Sequence, residues 1–223
     1  GEYISFLDID DTLVSDFLER FICHFEKNVD IVIAGYHVVR KNKKVLKQEA
    51  NVTLEKIDYL KKVLRGKYGW ELWAKVYRRE LFDEPMYIPC HLRIGEDATV
   101  YMQLVARSCK VKIINEALYN YIQYPSSASH QRSVTLAEET LQAAFYIDHL
   151  LKKESFYQEI RDEIDAMYLL FYSNSTRKAF LRLNHPLIYQ VYQEHYSLRA
   201  LKILPLFKSI YISLSLLLRK NLS

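Results

Sequence analysis

Three carboxylates fall within four residues at Asp8-Ile9-Asp10-Asp11, directly after the apolar run Tyr3–Leu7. Strand alternation through this stretch predicts Asp8 and Asp10 on one side, close together. Such a cluster repels itself unless a cation screens it. Hard carboxylate oxygens suit Mg²⁺ or Mn²⁺, which keep positions open for water or phosphate. The spacing therefore points to a divalent metal site that holds a phosphorylated substrate. The competing reading is a solvated acidic loop that caps the helix after it. A second acidic pair, Glu96-Asp97, follows Gly95 and opens a predicted helix. Acids are favoured there as N-terminal charges whatever else they do.

Several elements must position these groups. Tyr3–Leu7 reads as a short buried strand. Ser15 is expected to cap a helix whose apolar face is Phe17, Leu18, Phe21, Ile22 and Phe25. Asp30–Val39 reads as a strand rich in Ile and Val, and Lys41–Lys44 as a polar turn into a second strand near Val45. Thr53 is expected to cap a helix with Leu54, Ile57, Leu60 and Leu64 as its stripe. Residues 67–92, dense in Trp, Tyr and Arg, predict a mixture of strand, short helix and loop. A helix from about Asp97 to Ser108 follows, with Val100, Leu104 and Val105 inward. Val111–Ile114 and Leu118–Tyr124 are strand-like, and Pro125–Ser133 is the clearest loop. Beyond it, helical periodicity runs almost to the end, broken near Asn184–Pro186 and Pro205. The expected organisation is an α/β part over 1–130 and an all-helical part over 131–223.

The composition allows one large domain, or one domain with an appendage, in 223 residues. Hydrophobic residues at 50% and charged residues at 26% exclude a disordered or collagen-like chain. Cys23, Cys90 and Cys109 are far apart and odd in number, so neither a zinc site nor a disulfide framework is indicated, and a reducing compartment is the simpler reading. The net charge of +4 is mild and gives no reason to expect a nucleic-acid partner. Its distribution says more: residues 1–30 hold eight acids and two bases, and residues 197–223 hold five bases and no acid. The latter stretch reads as a basic amphipathic segment that would lie on an anionic membrane surface, or else pack on the α/β part. Its longest uncharged apolar run, Ser209–Leu218, is too short for a membrane span. No signal peptide is expected, because acids break the first apolar run.

Several motifs together resemble the bacterial family 2 glycosyltransferases. Gly1-Glu2-Tyr3-Ile4-Ser5-Phe6-Leu7-Asp8-Ile9-Asp10-Asp11 matches that family's Gly-Glu-Tyr-Ile-x-Phe-Leu-Asp-x-Asp-Asp string. Asp30–Tyr36 resembles its strand after the first helix. Trp73-Ala74-Lys75-Val76-Tyr77-Arg78-Arg79-Glu80-Leu81-Phe82 resembles its Trp-x-Lys-Leu-Tyr-Arg-Arg-x-Leu-Phe segment. Gly95-Glu96-Asp97, the strands of Val111–Tyr121 and the loop Pro125-Ser126-Ser127-Ala128-Ser129 follow in the family's order. Ile9, Thr12 and Ser126 depart from its pattern, and none of them is a metal-binding carboxylate. Asp8, Asp10 and Thr12 also match the Asp-x-Asp-x-Thr motif of haloacid-dehalogenase-like phosphatases, where Asp8 would be the nucleophile and Asp10 the general acid. That family's middle motifs are not evident, so it stands as the alternative, beside a catalytically inactive remnant or interaction module.

The glycosyltransferase resemblance implies a GT-A-like mixed sheet with flanking helices, followed by the helical C-terminal region. It implies a fragment, because family members carry a nucleotide-binding strand-helix-strand half before the acidic turn. The strand edge beside Tyr3–Leu7 would then be open. It implies an inverting transfer of a sugar from a nucleotide-diphosphate donor to a saccharide or lipid-linked acceptor in surface polysaccharide synthesis, in the cytoplasm or at the inner face of the membrane. Asp10, helped by Asp8, would hold Mn²⁺ or Mg²⁺. Asp11 would support the turn or contact the donor sugar. Asp97, with Glu96 as the alternative, would be the base that deprotonates the acceptor. Trp73 and Lys75 would line the acceptor pocket, by stacking on sugar and by pairing with phosphate; Trp73 is equally readable as core. His130 would contact the donor from its loop, or be simply solvated.

Overall fold

The computed structural model describes residues 1–41, 43–124, 133–177, 183 and 185–220. They form two compact units. The first comprises residues 1–59, 71–87 and 103–131, and the second residues 60–70, 88–102 and 132–223.

The first unit is built on a seven-stranded mixed sheet. Its strands are β1 (Tyr3–Ser5), β2 (Thr12–Leu13), β3 (Val29–Arg40), β4 (Lys43–Lys47), β5 (Val52–Glu55), β6 (Lys75–Arg78) and β7 (Lys110–Ile122). The two long strands β3 and β7 run parallel at its centre. Both are rich in Val, Ile and Tyr, the residues that suit a pleated, half-buried surface. Around their first halves, β6 and then β1 pair beside β3, and β5 pairs beside β7. Around their second halves, β4 pairs with β3 and β2 with β7, both antiparallel. The sheet therefore has two ladders that share one parallel pair. Val111–Ile114 and Leu118–Tyr124, expected as two strands, are one continuous β7 ending at Ile122.

Helix α1 (Phe17–Ile22) closes one core of this unit. Phe17 and Phe21 pack with Val29, Val32, Ala34, Val76, Ile114 and Leu118. Leu18 and Ile22, expected on the same buried face, are exposed. Six residues give fewer than two turns, so only one i, i+4 pair can face inward. The cap of α1 is Asp16, not Ser15, and no side chain bonds into it. Thr53 does not cap a helix either. It pairs with Lys112 inside β5, and helix α2 (Lys56–Leu64) starts later, burying Tyr59, Leu60, Val63 and Leu64.

Helix α3 (Glu96–Arg107) begins in the second unit and ends in the first, with Val100, Leu104 and Val105 buried as expected. From residue 133 on, the described residues of the second unit are mostly helical: α4 (Val134–Leu151), α5 (Arg161–Arg177), α6 (Pro186–His195), α7 (Leu198–Ile203) and α8 (Leu206–Lys220). The breaks fall at Pro186 and Pro205, where proline ends or opens a helix. Helix α5 is the hub and touches α4, α6, α7 and α8. Several buried polar groups on and around it are matched: Tyr157 Oη donates to Asp148 (2.6 Å), Tyr168 Oη to its other oxygen (3.3 Å), and His195 Nδ1 lies 2.9 Å from Asp165.

The close approach of β3 and β4 requires a residue without a side chain at Gly35. A Cβ there would lie 2.7 Å from both Gln48 Cβ and the Lys47 carbonyl oxygen. Gly35→Ala is expected to destabilise the protein by roughly 1–3 kcal/mol, read from urea unfolding. An unchanged midpoint would show that the hairpin yields freely.

Candidate active site: the acidic turn and its aromatic support

The chain leaves β1 through Phe6, which bridges to Trp73, and then reverses. The Asp11 N–H donates to the Asp8 carbonyl (3.1 Å), closing a four-residue turn. This turn, rather than strand alternation, places Asp8 and Asp10. Asp11 is buried at 7% exposure, and both of its carboxylate oxygens are engaged. Tyr119 Oη donates to Oδ2 (2.6 Å) and the Ile122 N–H donates to Oδ1 (2.7 Å). The Tyr119 hydroxyl also accepts from the Asp8 N–H (3.3 Å). One tyrosine on β7 thus clasps both ends of the turn. Burial first, and the Asp11 carboxylate second, push the Tyr119 phenol far above its usual range, so it is a fixed neutral donor. Asp8, Asp10 and the apolar tip Ile9 are left exposed. Among the described residues, no group of three or more His, Cys, Asp and Glu side chains is placed to hold a metal ion.

The turn rests on an aromatic floor. The Trp73 ring stacks on Tyr119 (4.9 Å between centroids, 19° between planes) and on Tyr121 (5.3 Å, 8°). Tyr36 meets it edge-on at 4.8 Å. Burial first, then Glu71 and Tyr121, raise the Tyr36 phenol above its ordinary value. The bend that carries Trp73 is unusual, because Ala74 adopts φ of 55°. A left-handed alanine costs about 1–2 kcal/mol. The Ala34 N–H bonds to the Ala74 carbonyl (3.1 Å) and the Ser5 hydroxyl to the Lys75 carbonyl (3.0 Å), which fixes the bend. The Lys75 ammonium is buried at 1% exposure and bonds to the Glu71 carboxylate (3.1 Å) and to its carbonyl. Lys75 thus ties the bend from beneath, and Trp73 is half-buried above it.

Glu96 and Asp97 form the first turn of α3. Gly95, before them, has φ of 95°, and a Cβ there would lie 2.4 Å from Ala143 Cβ on α4, so only glycine fits. The same helix supplies Glu139, which accepts from the Arg93 N–H (3.0 Å) and from its guanidinium (3.0 Å). Burial would raise the Glu139 carboxyl. The N–H groups of Arg93 and Ile94 and the guanidinium outweigh it and hold the group below the usual carboxylate range. Glu96 Oε2 is buried without a hydrogen-bond partner among the described residues.

The structure therefore gathers Asp8, Asp10, Asp11, Trp73 and Lys75 in the first unit and places Glu96 and Asp97 in the second. His130 and the loop Pro125–Ser129 lie outside the described residues. Sequence reasoning missed Glu71 and Glu139; it reads Tyr119 only as one of many tyrosines suited to an interior or a sugar-facing groove, not as the residue that clasps the turn. For Tyr119 a signal exists: Tyr119 and Tyr121 alternate on β7, so both share a face.

No family model matches the chain. It is 29% identical over 153 residues to the Bacillus subtilis (strain 168) protein named uncharacterized glycosyltransferase EpsJ, covering 65% of this chain and 44% of that one. It is 24% identical over 212 residues to the cholesterol galactosyltransferase of Borreliella burgdorferi, covering 87% and 58%. The chain spans about half the length of the curated relatives it matches. Among solved structures, Staphylococcus aureus TarS 1-349 in complex with UDP-GlcNAc superposes with a TM-score of 0.65 at 14% identity, over 96% of this chain and 64% of that one. The same TarS fragment with UDP gives 0.55 at 16% identity, over 96% and 63%. The chain is thus a relative of bacterial glycosyltransferases by sequence, and its mixed α/β fold is that of TarS. Among the described residues, no helix is long and apolar enough to cross a membrane.

The clasp can be tested alone. Tyr119→Phe removes a hydrogen bond to a buried carboxylate and is expected to destabilise the protein by about 2 kcal/mol. Thermal unfolding at neutral pH measures it, and a loss below about 0.5 kcal/mol would show that Asp11 is held by other means.

Proposed function

We propose that this chain, a relative of bacterial family 2 glycosyltransferases, forms the metal-binding and acceptor-side part of an inverting glycosyltransferase. The enzyme moves a sugar from a nucleotide-diphosphate donor to a hydroxyl of a saccharide or lipid-linked acceptor in surface polysaccharide synthesis. The observation that carries this reading is the clasped turn, which spends Asp11 on structure and holds Asp8 and Asp10 exposed at the sheet end. The TarS structures with UDP-GlcNAc and UDP support a nucleotide sugar as the donor class. The same fold match favours transfer over the phosphatase alternative.

The donor set fits Mn²⁺ or Mg²⁺. It consists of carboxylate oxygens only, on exposed side chains, with no third protein ligand grouped beside them among the described residues. Such cations complete their shells with water and phosphate oxygens. When bound by Asp10 and Asp8, the cation supplies charge neutralisation for the leaving diphosphate. The remaining work belongs to side chains. Asp97 takes the proton from the attacking acceptor hydroxyl, with Glu96 as the alternative base. Trp73 offers an aromatic face to a sugar ring, and Lys75 keeps the bend that presents it.

Titration calorimetry with Mn²⁺ and a panel of nucleotide-diphosphate sugars, on the protein carrying this chain, tests the reading. Asp10→Ala is expected to weaken Mn²⁺-dependent donor binding at least about tenfold, and Asp97→Asn to lower kcat by about 10²–10⁴ with donor binding kept. Donor binding that survives Asp10→Ala would sink the metal assignment. Hydrolysis of a generic phosphate ester that depends on Asp8 would restore the phosphatase.

Peripheral contact with the inner face of the membrane belongs to this proposal. On α8, Ile212 and Ser215 are buried, Ser215 bonds to Tyr172 (2.9 Å) and Tyr211 to Thr176 (3.1 Å). Leu206, Phe207, Ile210 and Leu214 occupy the opposite arc and are exposed. Arg199 and Lys202 lie exposed nearby, and no acid occurs in 197–223. An apolar strip with cationic flanks suits anionic lipid. Phe207→Asp with Ile210→Asp is expected to cut co-sedimentation with phosphatidylglycerol vesicles several-fold, while leaving neutral vesicles unbound as before. Equal sedimentation of both proteins would remove the membrane from the proposal.

A further inference from the structure

The β3–β4 hairpin concentrates positive charge. Arg40, Lys41, Lys43, Lys44 and Lys47 are all exposed, and no acid occurs between Asp30 and Glu49. Among the described residues, none of the five makes an ion pair; Arg40 bonds instead to the neutral Gln123 (Nε–Oε1 2.6 Å). Arg40 pairs directly with Lys43 across the ladder. Like charges directly opposite one another destabilise a hairpin. The field is felt at His37, whose imidazole is held below its usual range by burial first and by Lys44 second.

Register decides where this charge points. Paired residues in a ladder share a face. Tyr36 pairs with Lys47 on one side and with Tyr119 on the other; Val38 pairs with Val45 and with Tyr121. Arg40 and Lys43 continue the same alternation. Arg40, Lys43 and Lys47 therefore stand on the face that carries Tyr36, Tyr119, Tyr121 and the stacked Trp73. Lys44 and Leu46 stand on the opposite face. The hairpin also lies level with the acidic turn: the Ile122 N–H bonds to Asp11, Ile122 pairs with Val39, and Val39 with Lys44. From β2 to β4 is three strand spacings, roughly 15 Å. A single oligosaccharide spans that distance across the aromatic floor.

We propose that Arg40, Lys43 and Lys47 form a binding site for phosphate carried by the acceptor, at the far end of the aromatic floor from the acidic turn. That the phosphate belongs to an acceptor rests on the glycosyltransferase reading; the phosphate site itself does not. Its cations share a face with a sugar-sized aromatic surface, which a lipid headgroup site does not need.

Inorganic tripolyphosphate, titrated without divalent metal into the intact protein, is the probe. Binding is expected, weakening steeply between about 50 and about 200 mM salt. The triple variant Arg40→Ala/Lys43→Ala/Lys47→Ala is expected to lose at least about tenfold in affinity, and Lys44→Ala, on the other face, less than about twofold. The triple variant removes like-charge repulsion, so its thermal midpoint is expected to be no lower than that of the parent. Equal affinity in parent and triple variant overturns the site, as does an equal loss in Lys44→Ala. A triple variant that loses only binding to phosphatidylglycerol vesicles, with tripolyphosphate unaffected, reassigns the hairpin to lipid and overturns it too. So does an oligonucleotide that binds more tightly than tripolyphosphate and is lost in the triple variant. Mn²⁺-dependent donor binding by the parent protein is read separately. Phosphate binding without donor binding leaves this site standing and fails the transferase reading; donor binding without phosphate binding does the reverse.

Discussion

The Asp11 carboxylate, buried between the Tyr119 hydroxyl and the Ile122 N–H, is the interaction on which the rest of the site depends. A buried carboxylate is costly unless its oxygens are matched, and here both are. Both donors belong to one strand. The turn therefore inherits the rigidity of β7, and through it that of β3, instead of moving as a surface loop. Asp8 and Asp10 are positioned through the backbone of the turn. Their neighbour is anchored, and the Asp8 N–H is tied to the same tyrosine. Three acids within four residues thus divide into one that holds the backbone and two left at the surface.

The same tyrosine joins the turn to the aromatic floor. Trp73 can stack on Tyr119 and Tyr121 because the chain before β6 bends through a left-handed alanine. That conformation persists only if its surroundings over-determine it. The Lys75–Glu71 pair does so from below and the Ala34 hydrogen bond from the side. A buried ion pair is weak as a source of stability, but it tolerates few alternative arrangements. It fixes the position of the indole ring, which the resemblance alone does not determine.

Much of this was legible from local pattern. The β-branched run of β3, the helical stripe of α3 and the proline breaks of the C-terminal helices follow from periods and from backbone chemistry within a few residues. The failures are non-local. Thr53 has the chemistry of a helix cap, but pairing with Lys112 claims it for β5. Ser15 has it too, but α1 begins after Asp16 and uses no side-chain cap. Asp11 could not be separated from Asp8 and Asp10, because its partners lie more than a hundred residues away on β7. Lys75 looked available for phosphate; only the buried bend shows that Glu71 already holds its ammonium. Glu139 supports the turn before Glu96 from a different helix, with no local motif to announce it.

A net charge of +4 conceals a separation that the sheet makes explicit. The acids gather at the β2 edge of the second ladder and the bases at its β4 edge, with the parallel pair β7 and β3 between them. Opposite charges this close in a flexible chain would find one another and cancel. Here two ladders of backbone hydrogen bonds hold them roughly 15 Å apart, beyond the screening length of about 8 Å at physiological ionic strength. Each pole therefore keeps its own field: the acidic edge favours cations and whatever they carry, the basic edge favours anions. Between them lies a floor of Tyr36, Trp73 and Tyr121, apolar on its faces and polar at its rims. Such a surface suits an elongated polar ligand better than a compact one, because a compact ligand would satisfy only one pole. The spacing of the strands, rather than any single side chain, sets the length of what this face can hold.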